Sequence, residues 1–196
     1  MDSKTALFII DVQNALASTP ATRVPHAERL TTVLQEILST ARSLPGPKNP
    51  THTPIIVFVQ HSQPPKDGAL VKGTEPWQLV FEPDQSNPNE MLVHKTTGDT
   101  FESNPDLAHQ LEAQGVTHVI TLGIQSECCV QETALGALAA GFNVTILEDA
   151  HSTYNAGDAT ALEIEKEVEE LIRSRGGKSM PYKAALEKWK ATATIC

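Results

Sequence analysis

Cysteine is scarce in this chain: Cys128, Cys129 and Cys196 are the only three in 196 residues. Neighbours in sequence rarely pair and three is an odd number, so a disulfide framework is excluded. Free thiols in a reducing compartment, the cytoplasm by default, are expected. Basic residues are also in deficit, with 15 Lys plus Arg against 24 Asp plus Glu and a formal net charge of −9. That balance argues against nucleic acid or an acidic membrane as partner and favours solubility. Long apolar runs are missing too. The longest, such as Ile55–Val59, have the length of a strand, far short of the ~20 residues of a membrane span. The N-terminal segment around Asp2 and Lys4 lacks the cleavage pattern of a signal peptide. Asp11-Val-Gln-Asn14, after the first apolar run, contains no glycine. A dinucleotide-binding Gly-x-Gly-x-x-Gly turn, and with it a nucleotide-dependent oxidoreductase, is thereby excluded. No repeat, low-complexity tract or linker interrupts the chain, which suits one domain, residues 1–196. A chain of this size buries roughly 70% of its unfolded surface and needs no disulfide or metal staple.

What is present is an alternation of short β-branched runs with amphipathic stretches. Ala6–Ile10 and Ile55–Val59 read as buried strands, Met91–His94, Thr117–Leu122 and Phe142–Leu147 as further strands, and Lys178–Tyr182 as a weak sixth. Between Pro25 and Ser43 the residues Leu30, Val33, Leu34, Ile37, Leu38 and Ala41 fall at helical spacing. The helix stops at the loop Pro45–Pro50. Further helices are predicted from Asn104 to a stop at Gly115, over Cys129–Ala140, over Ala156–Arg175 and over Lys183–Ala191. The stretch from His61 to Pro88 has no period and is rich in Pro, Gly and Asn. Loops of that length inside a domain commonly serve as lids or binding loops. Strands alternating with helices predict a three-layer α/β/α fold with a mostly parallel sheet.

In such sheets, ligands bind at the carboxyl ends of the strands. Asp11 and Lys95 directly follow apolar runs, and Cys129 follows Val119–Gly123 after a short turn. A carboxylate, an ammonium and a thiol gathered at one crevice are the parts of nucleophilic amide hydrolysis. A cysteine at the first turn of a helix, with a lysine nearby, is expected to shift toward the thiolate. Taken singly each residue has a plainer reading: a turn cap, a solvated lysine, a packed thiol.

The segments Ala6-Leu-Phe-Ile-Ile-Asp-Val-Gln-Asn14, Lys95 with Phe101, and Gly123-Ile-Gln-Ser-Glu-Cys-Cys-Val-Gln-Glu-Thr-Ala134 resemble the isochorismatase-like cysteine hydrolases. Gly141–Ala150 fits as well, and the resemblance spans most of residues 5 to 155. It implies a six-stranded Rossmann-like fold and a cysteine-dependent hydrolase of a small amide or ureido C–N bond, working through a thioester. By that resemblance Asp11 is the acid/base, Lys95 its charge partner and Cys129 the nucleophile. It also implies a cis peptide at Ile124–Gln125, with the N–H groups of Gln125 and Cys129 as an oxyanion hole. A homo-oligomer, a dimer or larger, is implied likewise. Cys128, about 100° round a helix from Cys129, is expected to pack inward.

The departures are informative too. The nicotinamidase branch of this family binds a divalent metal through an Asp-x-His pair after the second strand. Here that stretch is Val59-Gln-His-Ser-Gln63, and the other histidines are scattered, so neither metal nor cofactor is expected. True isochorismatases lack the cysteine. Trp77 in the long loop, His61 and Phe101 are candidates to contact substrate, with loop anchoring and core packing as the plain alternatives. A different function class, a catalytically silent protein that keeps the fold for binding or scaffolding, also fits a chain of this kind.

Overall fold

The structure, a computed structural model, describes residues 4–44 and 53–195. The predicted loop Pro45–Pro50 and Cys196 lie outside the described residues. Strands β1 (Lys4–Ile10), β2 (Ile55–His61), β3 (Glu90–Lys95), β4 (Val116–Ile124), β5 (Asn143–Ser152) and β6 (Lys178–Pro181) form one sheet in the order β3-β2-β1-β4-β5-β6. Every pairing is parallel. A strand's side chains alternate between faces, and here both faces are apolar. Leu7 and Ile9 of β1 join Ile56, Phe58, Ile120 and Leu122 in one cluster, while Ala6, Phe8 and Ile10 join Val57, Val59 and Val119 in the other.

Helices cover both faces, as continuous apolar strands require. On the first lies α2 (Ala27–Ser43), which buries Leu30, Val33, Leu34, Ile37, Leu38 and Ala41 as its spacing predicts. Beside it lies α7 (Tyr182–Thr192), with Trp189 fully buried. The second face takes α4 (Leu107–Ala113), α5 (Gln131–Ala139) and α6 (Ala161–Ser174). Two one-turn helices, α1 (Asn14–Ala17) and α3 (Thr100–Ser103), follow β1 and β3. No helix among the described residues is long and apolar enough to cross a membrane.

Several boundaries differ from the sequence reading. The helix placed at 156 starts at Ala161, because Thr160 and Glu163 cap it reciprocally. Ahead of it, Ala156 and Ala159 close a tight turn through Gly157. The helix predicted over Cys129–Ala140 instead opens with one π-helical turn, Ser126–Val130. β5 runs five residues beyond the predicted Leu147, to Ser152, and a register shift pairs its end, His151 and Ser152, with Gly123 and Ile124.

Candidate active site

β1 lies between β2 and β4, so the order reverses there and a crevice opens at the carboxyl ends of the strands. Asp11 leaves β1 with a φ of 52°, in the left-handed region that Asp tolerates better than most residues. Opposite it, Gly123 has a φ of 127°, and a Cβ there would lie 2.1 Å from the Ile10 carbonyl oxygen. Only glycine lets β4 approach β1 so closely just before the cysteine turn.

His61 and Lys95 end β2 and β3 as register partners, so they project to the same side. The Lys95 Nζ lies 2.8 Å from Asp11 Oδ2, donates to the Thr97 carbonyl at 2.9 Å and sits 3.4 Å from His61 Nδ1. Both members of the ion pair are buried, their side chains 0% and 1% exposed. Donor atoms of Asp11, His61 and Cys129 all lie within 4.8 Å of one another. Asp11 lines the cavity, and its carboxyl also hydrogen-bonds with the Cys129 thiol.

The electrostatics reverse one expectation. The Cys129 thiol is pushed up, not down: the Cys128 thiol beside it and burial outweigh the pull of Lys95 and Asp11. Asp11 is likewise held well above the ordinary carboxylate range, by burial and then by Cys129, against the pull of Lys95. Burial works against the Lys95 ammonium too, but Asp11 and Cys129 more than offset it and its pKa rises. One ammonium cannot stabilise two anions at this depth. The carboxyl, intrinsically more acidic than a thiol by about five pKa units, keeps the charge, and the sulfur keeps its proton. Lys95 does not free a thiolate because Asp11 already neutralises it.

The cavity beside these groups measures about 360 Å³ and is lined by both cysteines, Ile124, Gln125, His61 and the loop residues Gln63, Ala69 and Leu70. The Ile124–Gln125 peptide is cis, as the resemblance implies. Cys128 does not pack inward: the π turn leaves it half-buried on the cavity wall, its thiol 3.8 Å from Glu132 Oε1. Its thiol is lowered, chiefly by the hydrogen bond with Cys129. Cys129 is the one that packs against the apolar cluster under α5.

Trp77 and Phe101 are placed elsewhere. Trp77 stacks on His94 and donates its indole N–H to Ser62, away from the cavity lining. Phe101 is buried between Phe8 and Phe142. His61 does line the cavity, and burial, then Lys95, lowers its pKa so that the ring is neutral at pH 7.

Two groups that the sequence left unassigned hold the site. Gln13 is fully buried; its amide donates to the carbonyls of His61 and Trp77 and accepts from the His61 N–H, tying the long loop to β1. Behind the π turn, Ser126 Oγ lies 2.8 Å from His151 Nδ1, and His151 Nε2 lies 3.4 Å from Glu169 Oε1. Ser126 and His151 are both fully buried. Asp149, within β5, pairs with Arg29, which also bonds Glu165.

Asp11, His61 and Cys129 offer the donor types of a metal site, but the Lys95 ammonium stands 2.8 Å from one donor residue and 3.4 Å from another. A dication there would face a fixed positive charge at contact distance. The residues do not fit a resident metal.

The Isochorismatase domain family model matches residues 5–172. The chain belongs to the isochorismatase family. A streptothricin hydrolase of Streptomyces noursei is 35% identical over 151 residues, covering 76% of this chain and 55% of that protein. The ureidoacrylate amidohydrolase RutB of Caulobacter segnis is 26% identical over 179 residues, covering 78% of this chain and 73% of that protein. The crystal structure of an isochorismatase-like hydrolase from Alkaliphilus metalliredigens superposes with a TM-score of 0.79 at 24% identity, covering 96% and 98% of the two chains. The chain spans about half the length of the streptothricin hydrolases it matches, 55% and 50%.

Proposed function

We propose that this member of the isochorismatase family hydrolyses the C–N bond of a small amide or ureido compound through a thioester on Cys129. The observation that carries the reading is the buried contact group at the cavity floor: Asp11 paired with Lys95 at 2.8 Å, with the Cys129 sulfur within 4.8 Å of the carboxylate. The names of the relatives, a streptothricin hydrolase and a ureidoacrylate amidohydrolase, support the reaction class.

Because the resting sulfur is protonated, attack is coupled to proton transfer. Asp11 takes the thiol proton as sulfur bonds to the carbonyl carbon, and Lys95 holds the anionic charge that moves between them. The tetrahedral oxyanion faces the backbone N–H groups of Gln125 and Cys129; losing one such donor costs about 10²- to 10³-fold in rate. Asp11 returns the proton to the leaving amine, then takes one from the water that attacks the thioester and gives it to the departing sulfur, which restores the thiol. His61, neutral and on the wall, offers a ring nitrogen to substrate. The reading includes a homo-oligomer, for which exposed Leu92 on the edge strand β3 offers a contact.

Turnover of an amide and urea panel tests the assignment. Cys129→Ala should cost about 10⁴-fold or more, while Cys128→Ala retains measurable turnover. Mass spectrometry of a quenched reaction should find an acyl adduct on the peptide carrying Cys129. An active Cys129→Ala enzyme refutes the mechanism.

A further inference from the structure

The cavity surrounds its reactive corner with uncharged groups. Leu16, Leu70 and Ile124 make an apolar wall, Gln63 supplies an amide, and the hydroxyls of Thr22 and Tyr154, whose protons go to the Ala15 and Thr22 carbonyls, can accept only. His61 is neutral, its protonated form disfavoured by burial and by Lys95. No arginine or lysine lines the cavity among the described residues. The nearest ammonium, Lys95, is paired at 2.8 Å with Asp11 and capped by Thr97. Asp11 is the one carboxylate in the lining, and a second, Glu132, borders it through Gly98 and Cys128. Glu132 Oε2 is 2.0 Å from where a Cβ on Gly98 would stand, so the acid packs flat on a lining glycine and also meets the Cys128 thiol.

An anionic group on a ligand would therefore lose its water, find no cation in the lining among the described residues, and meet Asp11 on the wall with Glu132 beside it. A carbonyl or amide finds donors and acceptors, and hydrocarbon finds the leucines. We propose that this cavity selects amides and ureas that carry no anionic group, their uncharged acyl portion lying on Leu16, Leu70 and Ile124. The proposal rests on Cys129 being the reactive group of this cavity. It divides the possible substrates of one reaction class by charge, which the reaction itself leaves open.

Iodoacetamide and iodoacetate test it without knowledge of the substrate. They have similar size, react with the same thiolate and differ in charge. The rates are measured at the peptide carrying Cys129 in the Cys128→Ala protein, with free cysteine as reference. The ratio of rates cancels any change in thiol acidity. The expected result is a preference for iodoacetamide at least about tenfold beyond that of free cysteine. Glu132→Gln should reduce the preference, and Leu70→Arg should reverse it. Equal rates, or faster carboxymethylation, would mean that Lys95 governs the cavity; the charge proposal then falls while the cysteine mechanism stands. If neither reagent modifies Cys129 and Cys129→Ala keeps its activity, the mechanism falls and the proposal with it.

Discussion

At the cavity floor two acids share one ammonium, and that stoichiometry governs the pH response. As the proposed base, Asp11 must be ionised, and burial raises its pKa well above 3.8. Activity is then present above that raised value and lost as pH falls through it. The acid limb of kcat/KM should accordingly lie above the ordinary carboxylate range. Asp11→Asn should remove the limb and lower the rate by about 10²- to 10⁴-fold. An acid limb at the pKa of an exposed carboxylate would show that Asp11 is solvated during turnover. On the alkaline side Lys95, raised by Asp11 and Cys129, keeps its proton beyond the usual lysine range.

Among the elements, the π turn Ser126–Val130 decides the most. It joins the end of β4 to α5 and sets Cys128 and Cys129 on the same cavity. Its backbone is anchored on the Gln125 carbonyl, which accepts from the N–H groups of Cys128 and Val130. Its first side chain is held from behind by His151 at 2.8 Å. Without the Ser126 hydroxyl the turn would lose its side-chain hydrogen bond to β5. Ser126→Ala should lower kcat by about ten- to a hundredfold with little change in KM, and Ser126→Thr should restore it. Ser126→Ala and His151→Ala should be non-additive in a double-mutant cycle, as expected of two members of one contact. Additive losses, or a fall in Tm alone with kcat intact, would reduce the pair to packing.

For the molecule as a whole, the family match ends at residue 172, yet the core does not. Trp189 of α7 is fully buried in the cluster that also holds Leu30, Leu34 and Leu38 of α2. The C-terminal helix thus closes the face of the sheet that carries α2. Trp189→Ala should cost about 3–5 kcal/mol, a large part of the stability of an ordinary domain. Urea unfolding followed by circular dichroism measures it. A midpoint within error of the parent would mean that the tail contributes nothing to the core.

The amino-acid order determined the architecture by itself, because apolar runs of strand length alternating with helical spacing can be buried only as a parallel sheet between two helical layers. It also placed Asp11, Lys95 and the cysteine pair at or just past strand ends. Register was not legible: that His61 meets Lys95, or that His151 comes round to Ser126, depends on which strands are neighbours and where a bulge shifts them. The period of a strand does not encode either. Nor could it give the state of the sulfur, since acidity is set by burial and by how many charges share the space. For the same reason Trp77 and Phe101, plausible as cavity walls in one dimension, are a loop anchor and a core residue in three.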